Sequence, residues 1–268
     1  MMKFDTHCHT HEGSPDSKIS VDRYIKLLSD QGYNGMIVTD HNSYNGYRYW
    51  NENIRGKKYN DFVMLRGIEY DTFNAGHFVV VMPTGEEPVL MESRGLKIET
   101  LVDVVHSHGG ILGPAHPCGE NFLSIYRTGK FKNDRSLTRE FDFIEAFNSC
   151  EDYCDNDKAK VVAQVYDKPM FAGSDSHRES CVGTAATYFD GDIRSEDDLI
   201  EYIKSGRRTT IEGDRWYGTI KDHLGIVNKS LVYGFFLYNK AGALAKTYRR
   251  RKEYKLHKYG NILRHSKK

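Results

Sequence analysis

Short apolar runs alternate with segments of helical periodicity along most of the chain, and this alternation predicts the fold. The apolar runs are rich in β-branched and aromatic residues, which favour strands. They predict strands at residues 3–7, 35–39, 62–68, 77–82, 111–115, 141–147, 169–173, 184–189 and 208–211. The helical patterns lie at residues 21–31, 98–107, 156–166 and 195–204. Strands that alternate with helices are typical of βα units and a parallel sheet.

The alternation stops near residue 221, and the remaining segment has a different character. Residues 231–245 are apolar with interspersed Tyr, Phe and Gly, and the basic run Arg249-Arg250-Arg251-Lys252 follows soon after. We therefore predict a barrel over residues 1–220 and a short helical, basic extension over residues 221–268. The 268 residues suffice for one large α/β domain or for two small ones.

Charge is distributed unevenly, although the formal net charge is only +1. Residues 240–268 contain eleven Lys and Arg against the single acid Glu253, so this segment carries +10 and residues 1–239 carry −9. An acidic body suits a protein that binds several divalent cations, although ordinary solubility explains it equally well. The basic segment fits contact with nucleic acid or with an anionic membrane surface, and a solvated charged helix explains it without any partner.

Cysteine usage and the lack of a long apolar stretch indicate the compartment. Five scattered cysteines without a repeated spacing argue against a disulfide framework or a structural zinc knuckle. The first residues contain no apolar segment typical of a signal peptide. The longest apolar stretch, residues 231–237, is too short to span a bilayer. These features predict a cytoplasmic protein.

Residues of the kinds that bind metals recur at the ends of the predicted strands. His7 and His9 project from the same face of the first strand, because successive side chains of a strand alternate. At or just past the carboxyl ends of later strands lie Asp40-His41, Glu69, His116, and Asp175 with His177. In barrels of parallel strands the active site is built at that end. This placement favours a polynuclear metal site over a chance scatter of polar residues.

Five short motifs in a fixed order carry a resemblance to a known family. They are Asp5-Thr6-His7-Cys8-His9, Thr39-Asp40-His41, Gly67-Ile68-Glu69 followed by Gly76-His77, Ala115-His116-Pro117 and Ser174-Asp175-Ser176-His177. Over residues 5–213 the chain resembles the PHP (polymerase and histidinol phosphatase) phosphoesterases. The resemblance implies an α/β fold, a distorted (β/α)7 TIM-like barrel of parallel strands with metals at their carboxyl ends.

The resemblance also implies nine ligands for three divalent metal ions. The first metal would be held by His7, His9 and Asp175, the second by His77 and His116, and the third by Asp16, His41 and His177, with Glu69 bridging the first two. Every one of these positions carries a side chain that can ligate. A mixed set of imidazoles and carboxylates suits Zn²⁺, Mn²⁺ or Fe²⁺, whereas an all-oxygen set suits Mg²⁺ or Ca²⁺. Asp40 is expected to orient ligands and not to bind metal.

Together these expectations predict a metal-dependent phosphoesterase that acts on a phosphomonoester of a small metabolite or nucleotide. A metal-bridging hydroxide would attack phosphorus in line, and Glu69, Asp175 and His177 would be catalytic through the metals that they hold. Arg178 and Asn42 are candidate contacts to the substrate phosphate, although Arg178 equally suits a surface ion pair. The alternatives are a nucleotide phosphodiesterase or exonuclease on short oligonucleotides, and an amidohydrolase-like C–N hydrolase.

Overall fold

The structure is a computed structural model that describes residues 1–119, 123–129, 131, 134–218, 234, 237, 238 and 240–265, with side chains up to residue 258. In these residues the strands are β1 Met2–Cys8, β2 Gly35–Val38, β3 Val63–Asp71, β4 His77–Val81, β5 Ile111–Pro114, β6 Ile144–Asn148, β7 Met170–Gly173, β8 Ala185–Phe189 and β9 Thr209–Gly213. Each of them overlaps one predicted strand, and the ends differ by at most three residues.

The strands form a strongly curled barrel made of two sheets. The larger sheet has the order β5-β4-β3-β2-β1-β8-β9, and the smaller one pairs β6 with β7. β7 lies against β1, where the Thr6 hydroxyl donates to the Ala172 carbonyl at 3.0 Å. On the other side of the small sheet, β6 lies beside β5. The predicted TIM-like α/β fold is confirmed.

Strand direction differs in part from a barrel of parallel strands. Parallel pairing is found for β1–β2, β2–β3 and β6–β7, whereas β3–β4, β4–β5, β1–β8 and β8–β9 are antiparallel. The β3–β4 reversal has a local cause, because residues 72–76 alone connect the two strands. A parallel pair needs a crossover of a dozen residues or more.

Helices cover the outside of the barrel. They are α1 Val21–Asp30, α2 Asn45–Asn53, α3 Ile98–Ser107, α4 Tyr153–Val165, α5 Glu196–Lys204 and α6 Thr247–His265. The hydroxyl of Ser195 accepts the Asp198 N–H at 3.1 Å, so α5 begins with the side-chain cap that its sequence indicates. α2 lies in a segment whose pattern predicts no helix, because only Gly46 and Trp50 of its residues are buried.

An apolar cluster fills the barrel beneath its carboxyl rim. Seven strands contribute to it, with Phe4, Ile37, Leu65, Val79, Ile111, Phe171 and Phe189 among its members, and Phe143 joins them from the position directly before β6. The ring of Phe171 stacks on Phe143 with centroids 4.0 Å apart and meets the edge of Phe189 at 5.8 Å. This packed floor leaves the rim as the place where polar side chains can face one another.

Helix α6 lies against the barrel. The Arg250 guanidinium donates to the carbonyls of Arg94 and Ala243, both at 2.8 Å. The Lys246 ammonium donates to the Glu92 carbonyl at 3.1 Å. The basic extension is therefore anchored to the end of the short helix Val89–Glu92 and to Arg94 just after it.

The predicted boundary at residue 220 and part of the apolar segment 231–245 lie outside the described residues. The division into residues 1–220 and 221–268 therefore stays a prediction. None of the helices in the described part of the chain is long and apolar enough to cross a membrane.

Truncation of Phe171 tests the apolar floor. Because this buried ring contacts two other aromatic rings, Phe171→Ala should lower the free energy of unfolding by about 3–5 kcal/mol. Urea unfolding followed by circular dichroism measures the change. The matched truncation Val165→Ala, at an exposed position of α4, should stay within about 0.5 kcal/mol of the parent. A loss below about 1 kcal/mol for Phe171→Ala would contradict the packing described.

Candidate metal centre

All nine predicted ligand residues meet at the carboxyl rim of the barrel. His7 and His9 are at the end of β1, His41 follows β2, Glu69 lies in β3, His77 begins β4, His116 follows β5, Asp175 and His177 follow β7, and Asp16 lies between β1 and α1. The antiparallel direction of β4 places its first residue, His77, opposite Asp71 at the end of β3. A strand that runs the other way thus still delivers its histidine to the same rim.

The first group consists of His7, His9 and Asp175. The two Nε2 atoms lie 3.1 Å apart. Oδ1 of Asp175 lies 3.1 Å from His9 Nε2 and 3.6 Å from His7 Nε2. These three ligand atoms converge on a common point, as the predicted first metal requires.

Glu69 lies between this group and a second one. Its Oε2 atom is 3.4 Å from His7 Nε2 and 3.3 Å from His9 Nε2. Its Oε1 atom is 2.9 Å from His77 Nδ1 and 3.0 Å from His116 Nε2. The two carboxylate oxygens therefore face different groups, which is the arrangement expected of a bridging ligand.

The third group is the most exposed. Oδ2 of Asp16 lies 3.5 Å from His41 Nε2 and 3.4 Å from His177 Nε2. The side chains of Asp16 and His177 are 36% and 31% exposed, whereas those of His7, His9 and Glu69 are at most 1% exposed. The centre therefore opens to solvent on the side of the third group.

The donor atoms fit divalent cations. Ligand atoms about 2.0–2.2 Å from a tetrahedral ion lie roughly 3.3–3.6 Å apart, and the separations within the groups run from 2.9 to 3.6 Å. Glu69 and Asp175 also bring negative charge into a buried place, which a protein interior tolerates only with compensating positive charge. Imidazole and carboxylate donors are together the ligands that Zn²⁺, Mn²⁺ and Fe²⁺ accept.

Two residues that the sequence does not single out hold these ligands in place. Glu145, buried in β6, places Oε1 2.8 Å from His7 Nδ1, and its Oε2 accepts the His116 backbone N–H. The hydroxyl of Ser14 lies 3.2 Å from His9 Nδ1 and accepts the His41 backbone N–H at 3.0 Å. An acidic residue between the apolar residues Ile144 and Ala146 of a strand is the signal that points to Glu145.

Asp40 and Asn42 act on the backbone of the rim. The Asp40 carboxylate accepts the backbone N–H of Thr10 at 2.6 Å and its hydroxyl at 2.8 Å, so it fixes the segment after His9. Oδ1 of Asn42 accepts the Asp71 N–H at 3.0 Å. Nδ2 of Asn42 has no hydrogen-bond partner among the residues described, which leaves it available to a ligand.

Backbone conformation at the rim is unusual. His116, Asp175 and Asn42 have φ angles of 31°, 51° and 49°. Residues other than glycine seldom adopt positive φ, and such strain concentrates at functional sites. Arg178, the other predicted substrate contact, is exposed directly after His177.

Burial and charge oppose each other in the pKa values of the centre. Burial favours the neutral form of Glu69, but His41, His77 and His7 outweigh it and hold the pKa of Glu69 well below its usual value. Burial likewise disfavours a charged His41, yet Glu69, Asp71 and Asp16 raise the pKa of His41 to about 10. Without a bound ion, protonated imidazoles balance the carboxylates, so metal binding must displace protons.

Comparison with family models supports the predicted resemblance. A model described as PHP-associated (PHP_C) matches residues 154–208, a segment that includes Asp175 and His177. No protein of curated function matches the chain in sequence.

Solved structures share the fold. The chain resembles PsfC from Pseudomonas syringae PB-5123 with a TM-score of 0.57 and 19% identity, over 90% of this chain and 98% of that one. The lesion-specific endonuclease PfuEndoQ from Pyrococcus furiosus matches with a TM-score of 0.60 and 17% identity, over 78% of this chain and 57% of that enzyme. A candidate metal-dependent phosphoesterase from Bifidobacterium adolescentis matches with a TM-score of 0.53 and 12% identity, over 76% of this chain and 96% of that one. These matches confirm the resemblance to PHP proteins, and at such identities they establish the fold alone.

The raised histidine pKa values predict a pH dependence for the metal-free protein. A folded-state pKa of about 10 for His41 means that its stabilising contribution is complete below the unfolded value of about 6.5 and is lost as pH rises through 10. The melting temperature of chelator-treated protein should therefore fall by several degrees between pH 7 and pH 10. His41→Gln should flatten this dependence. A metal-free melting temperature that is level or rises over this interval would contradict the charge balance described.

Proposed function

We propose that this chain is a metal-dependent phosphoesterase that hydrolyses a phosphomonoester of a small metabolite or nucleotide. The observation that carries the proposal is the position of Glu69, whose two oxygens face two adjoining ligand groups. A third group adjoins them, in which Asp16 Oδ2 lies 3.5 Å from His41 Nε2 and 3.4 Å from His177 Nε2. Such adjoining cation positions suit a substrate with several charged oxygens on one atom.

The proposal assigns Zn²⁺, Mn²⁺ or Fe²⁺ to three positions, held by the nine residues predicted from the sequence. When bound, divalent ions would neutralise the charge of the phosphoryl oxygens and lower the pKa of a metal-bound water to about 7. Glu69, Asp175 and His177 are proposed as the catalytic residues through the ions that they hold.

The contribution of the protein is to present each ligand atom in one orientation. The contact of His7 Nδ1 with Glu145 at 2.8 Å leaves Nε2 facing the centre. The contact of His177 Nδ1 with the Asp175 carbonyl at 2.9 Å does the same for its Nε2. Ligands fixed in this way lose little freedom on binding an ion, and their orienting partners contribute to affinity.

The exposed side of the centre is the proposed entrance for substrate. Asp16 and His177 are its most exposed predicted ligands, and Arg178, directly after His177, is exposed to solvent. A guanidinium matches phosphate oxygens in a two-point contact. Arg178 and Nδ2 of Asn42, which has no hydrogen-bond partner among the residues described, are therefore proposed as contacts to the substrate phosphate.

A panel of substrates and metals tests the proposed activity. Chelator-stripped protein reloaded with Mn²⁺, Zn²⁺ or Fe²⁺ should hydrolyse an aryl phosphate and one or more nucleotides. A His7→Ala, His9→Ala double variant should lose roughly a thousandfold or more of the rate, because metals supply several kcal/mol of transition-state stabilisation. Faster cleavage of phosphodiesters would favour the nucleotide phosphodiesterase alternative.

The chain offers a matched control for the double variant. His106 and His108 form a second His-x-His pair, whose partners are Asp142 and the Val104 carbonyl, away from the centre. His106→Ala with His108→Ala should retain the rate. Absence of turnover with every metal, or full turnover in the His7, His9 variant, would overturn the proposal. One bound ion per chain together with amide hydrolysis would instead support the C–N hydrolase alternative.

A second candidate function is contact with a nucleic-acid backbone. Helix α6 exposes five cations to solvent, Arg249, Arg251, Lys252, Lys255 and Lys258, while Arg250 faces the barrel. A row of basic side chains on one element matches the charge of a phosphodiester chain. The endonuclease among the similar structures acts on lesions, which makes a DNA partner the version to test first.

Salt-dependent binding of a labelled oligonucleotide tests this second candidate. Changing Arg251, Lys252 and Lys255 to Gln should weaken binding and reduce the slope of log affinity against log salt by about one per lost phosphate contact. Changing Lys26, Lys58 and Lys158 to Gln, three exposed cations on other parts of the chain, is the charge-matched control and should leave the slope unchanged. Equal affinity of parent and triple variant would exclude this surface. Preferential binding to anionic vesicles would assign it to membranes.

A further inference from the structure

Asp71 is a buried carboxylate beside two predicted ligands, and none of the five sequence motifs includes it. It ends β3, two residues after Glu69, and is 5% exposed. Its Oδ1 atom lies 3.4 Å from His41 Nδ1 and 3.4 Å from His77 Nε2. One oxygen atom therefore faces one ligand of the second group and one ligand of the third.

Apart from the two imidazoles, the described contacts give the Asp71 side chain one partner, a long ion pair with Arg94. Neither of its oxygens accepts a hydrogen bond of good geometry from the residues described, although buried polar atoms are nearly always paired. The nearest cationic side chain is Arg94, whose Nη2 lies 3.8 Å from Oδ2. The backbone, in contrast, is paired on both sides, with Asn42 Oδ1 at 3.0 Å and the Gly95 N–H at 2.7 Å. The strand thus fixes the position of the carboxylate, and the carboxylate is available to the two imidazoles.

The other nitrogen of each imidazole is directed at a proposed metal group. Nδ1 of His77 lies 2.9 Å from Glu69 Oε1, in the second group. Nε2 of His41 lies 3.5 Å from Asp16 Oδ2, in the third group. Nδ1 of His41, which faces Asp71, also lies 3.1 Å from Glu69 Oε2. The nitrogens that face Asp71 are those that carry hydrogen when the opposite nitrogens bind metal.

We propose that Asp71 is a positioning residue that accepts the N–H groups of His41 and His77 and thereby fixes the tautomer and ring orientation of a ligand in each of two metal groups. The inference rests on the proposed metal centre. Glu145 gives an internal precedent, because its carboxylate lies 2.8 Å from the outward nitrogen of His7. Glu145 contacts one predicted ligand in this way, whereas Asp71 contacts two, His41 and His77, and so links the third group to the second.

Metal affinity, measured apart from activity, tests the proposal. Mn²⁺ binding to the whole chain is followed by electron paramagnetic resonance in competition with a chelator. Asp71→Asn keeps the shape and one acceptor but removes the charge, and Asp71→Leu removes both. The affinity of the ions held by His41 and His77 should fall by about tenfold in Asp71→Asn and about a hundredfold in Asp71→Leu. The number of ions at saturation and the ion held by His7 and His9 should not change.

Two results would overturn the inference while leaving the proposed function intact. One is unchanged Mn²⁺ affinity in both variants. The other is a Mn²⁺ ion bonded directly to Asp71 in anomalous diffraction from the parent protein, which would make Asp71 a ligand. The diffraction measurement needs no variant, so it decides the question even where Asp71→Leu fails to fold. A parent protein that binds no Mn²⁺ would overturn the inference and the proposed function together.

A second His–Asp pair supplies the control. Oδ2 of Asp142 lies 3.0 Å from His106 Nε2, away from the centre. Asp142→Asn should leave every Mn²⁺ affinity unchanged, whatever its effect on the melting temperature. Equal weakening in Asp142→Asn and Asp71→Asn would show a general loss of stability and would overturn the positioning role.

Discussion

One buried carboxylate imposes the architecture of the rim. Glu69 is 1% exposed and lies within 3.4 Å of five histidines, His7, His9, His41, His77 and His116. Removing a carboxylate from water costs several kcal/mol unless charged or hydrogen-bonding groups surround it. The ends of four other strands, β1, β2, β4 and β5, therefore place imidazoles at the same level of the barrel as the Glu69 carboxylate. The curvature of the sheet, the reversed direction of β4 and the positive φ of His116 are consistent with that single demand.

The sequence is sufficient for much of this arrangement. Apolar runs locate the strands because a buried strand needs a continuous apolar face, and eight of the nine predicted ligand residues belong to the five motifs. The direction of each strand is harder to predict from the sequence, because it depends on which strands pair across the sheet. Glu145 and Asp71 act through contacts between segments that are distant along the chain. Their roles become visible only when β6 and β3 are placed beside the histidines.

The shared fold and the individual site carry different kinds of information. Structures with 12–19% identity to this chain include an endonuclease and a candidate phosphoesterase, so the barrel alone does not define a reaction. The chemistry lies in which side chains the rim presents and in how they are held. Here a packed aromatic floor supports the rim from within the barrel, which restricts the movement of the ligands above it.

The docking of α6 has a consequence for how the extension can vary. Arg250 holds the Arg94 carbonyl, and Arg94 lies 3.8 Å from Asp71, so the extension is two residues away from the histidines of the centre. A surface appendage would be free to change its length and charge independently of the barrel. Here the extension contacts the predicted metal-binding rim through Arg94. Residues on its solvent-facing side can therefore change without disturbing the centre, whereas those that face the barrel cannot.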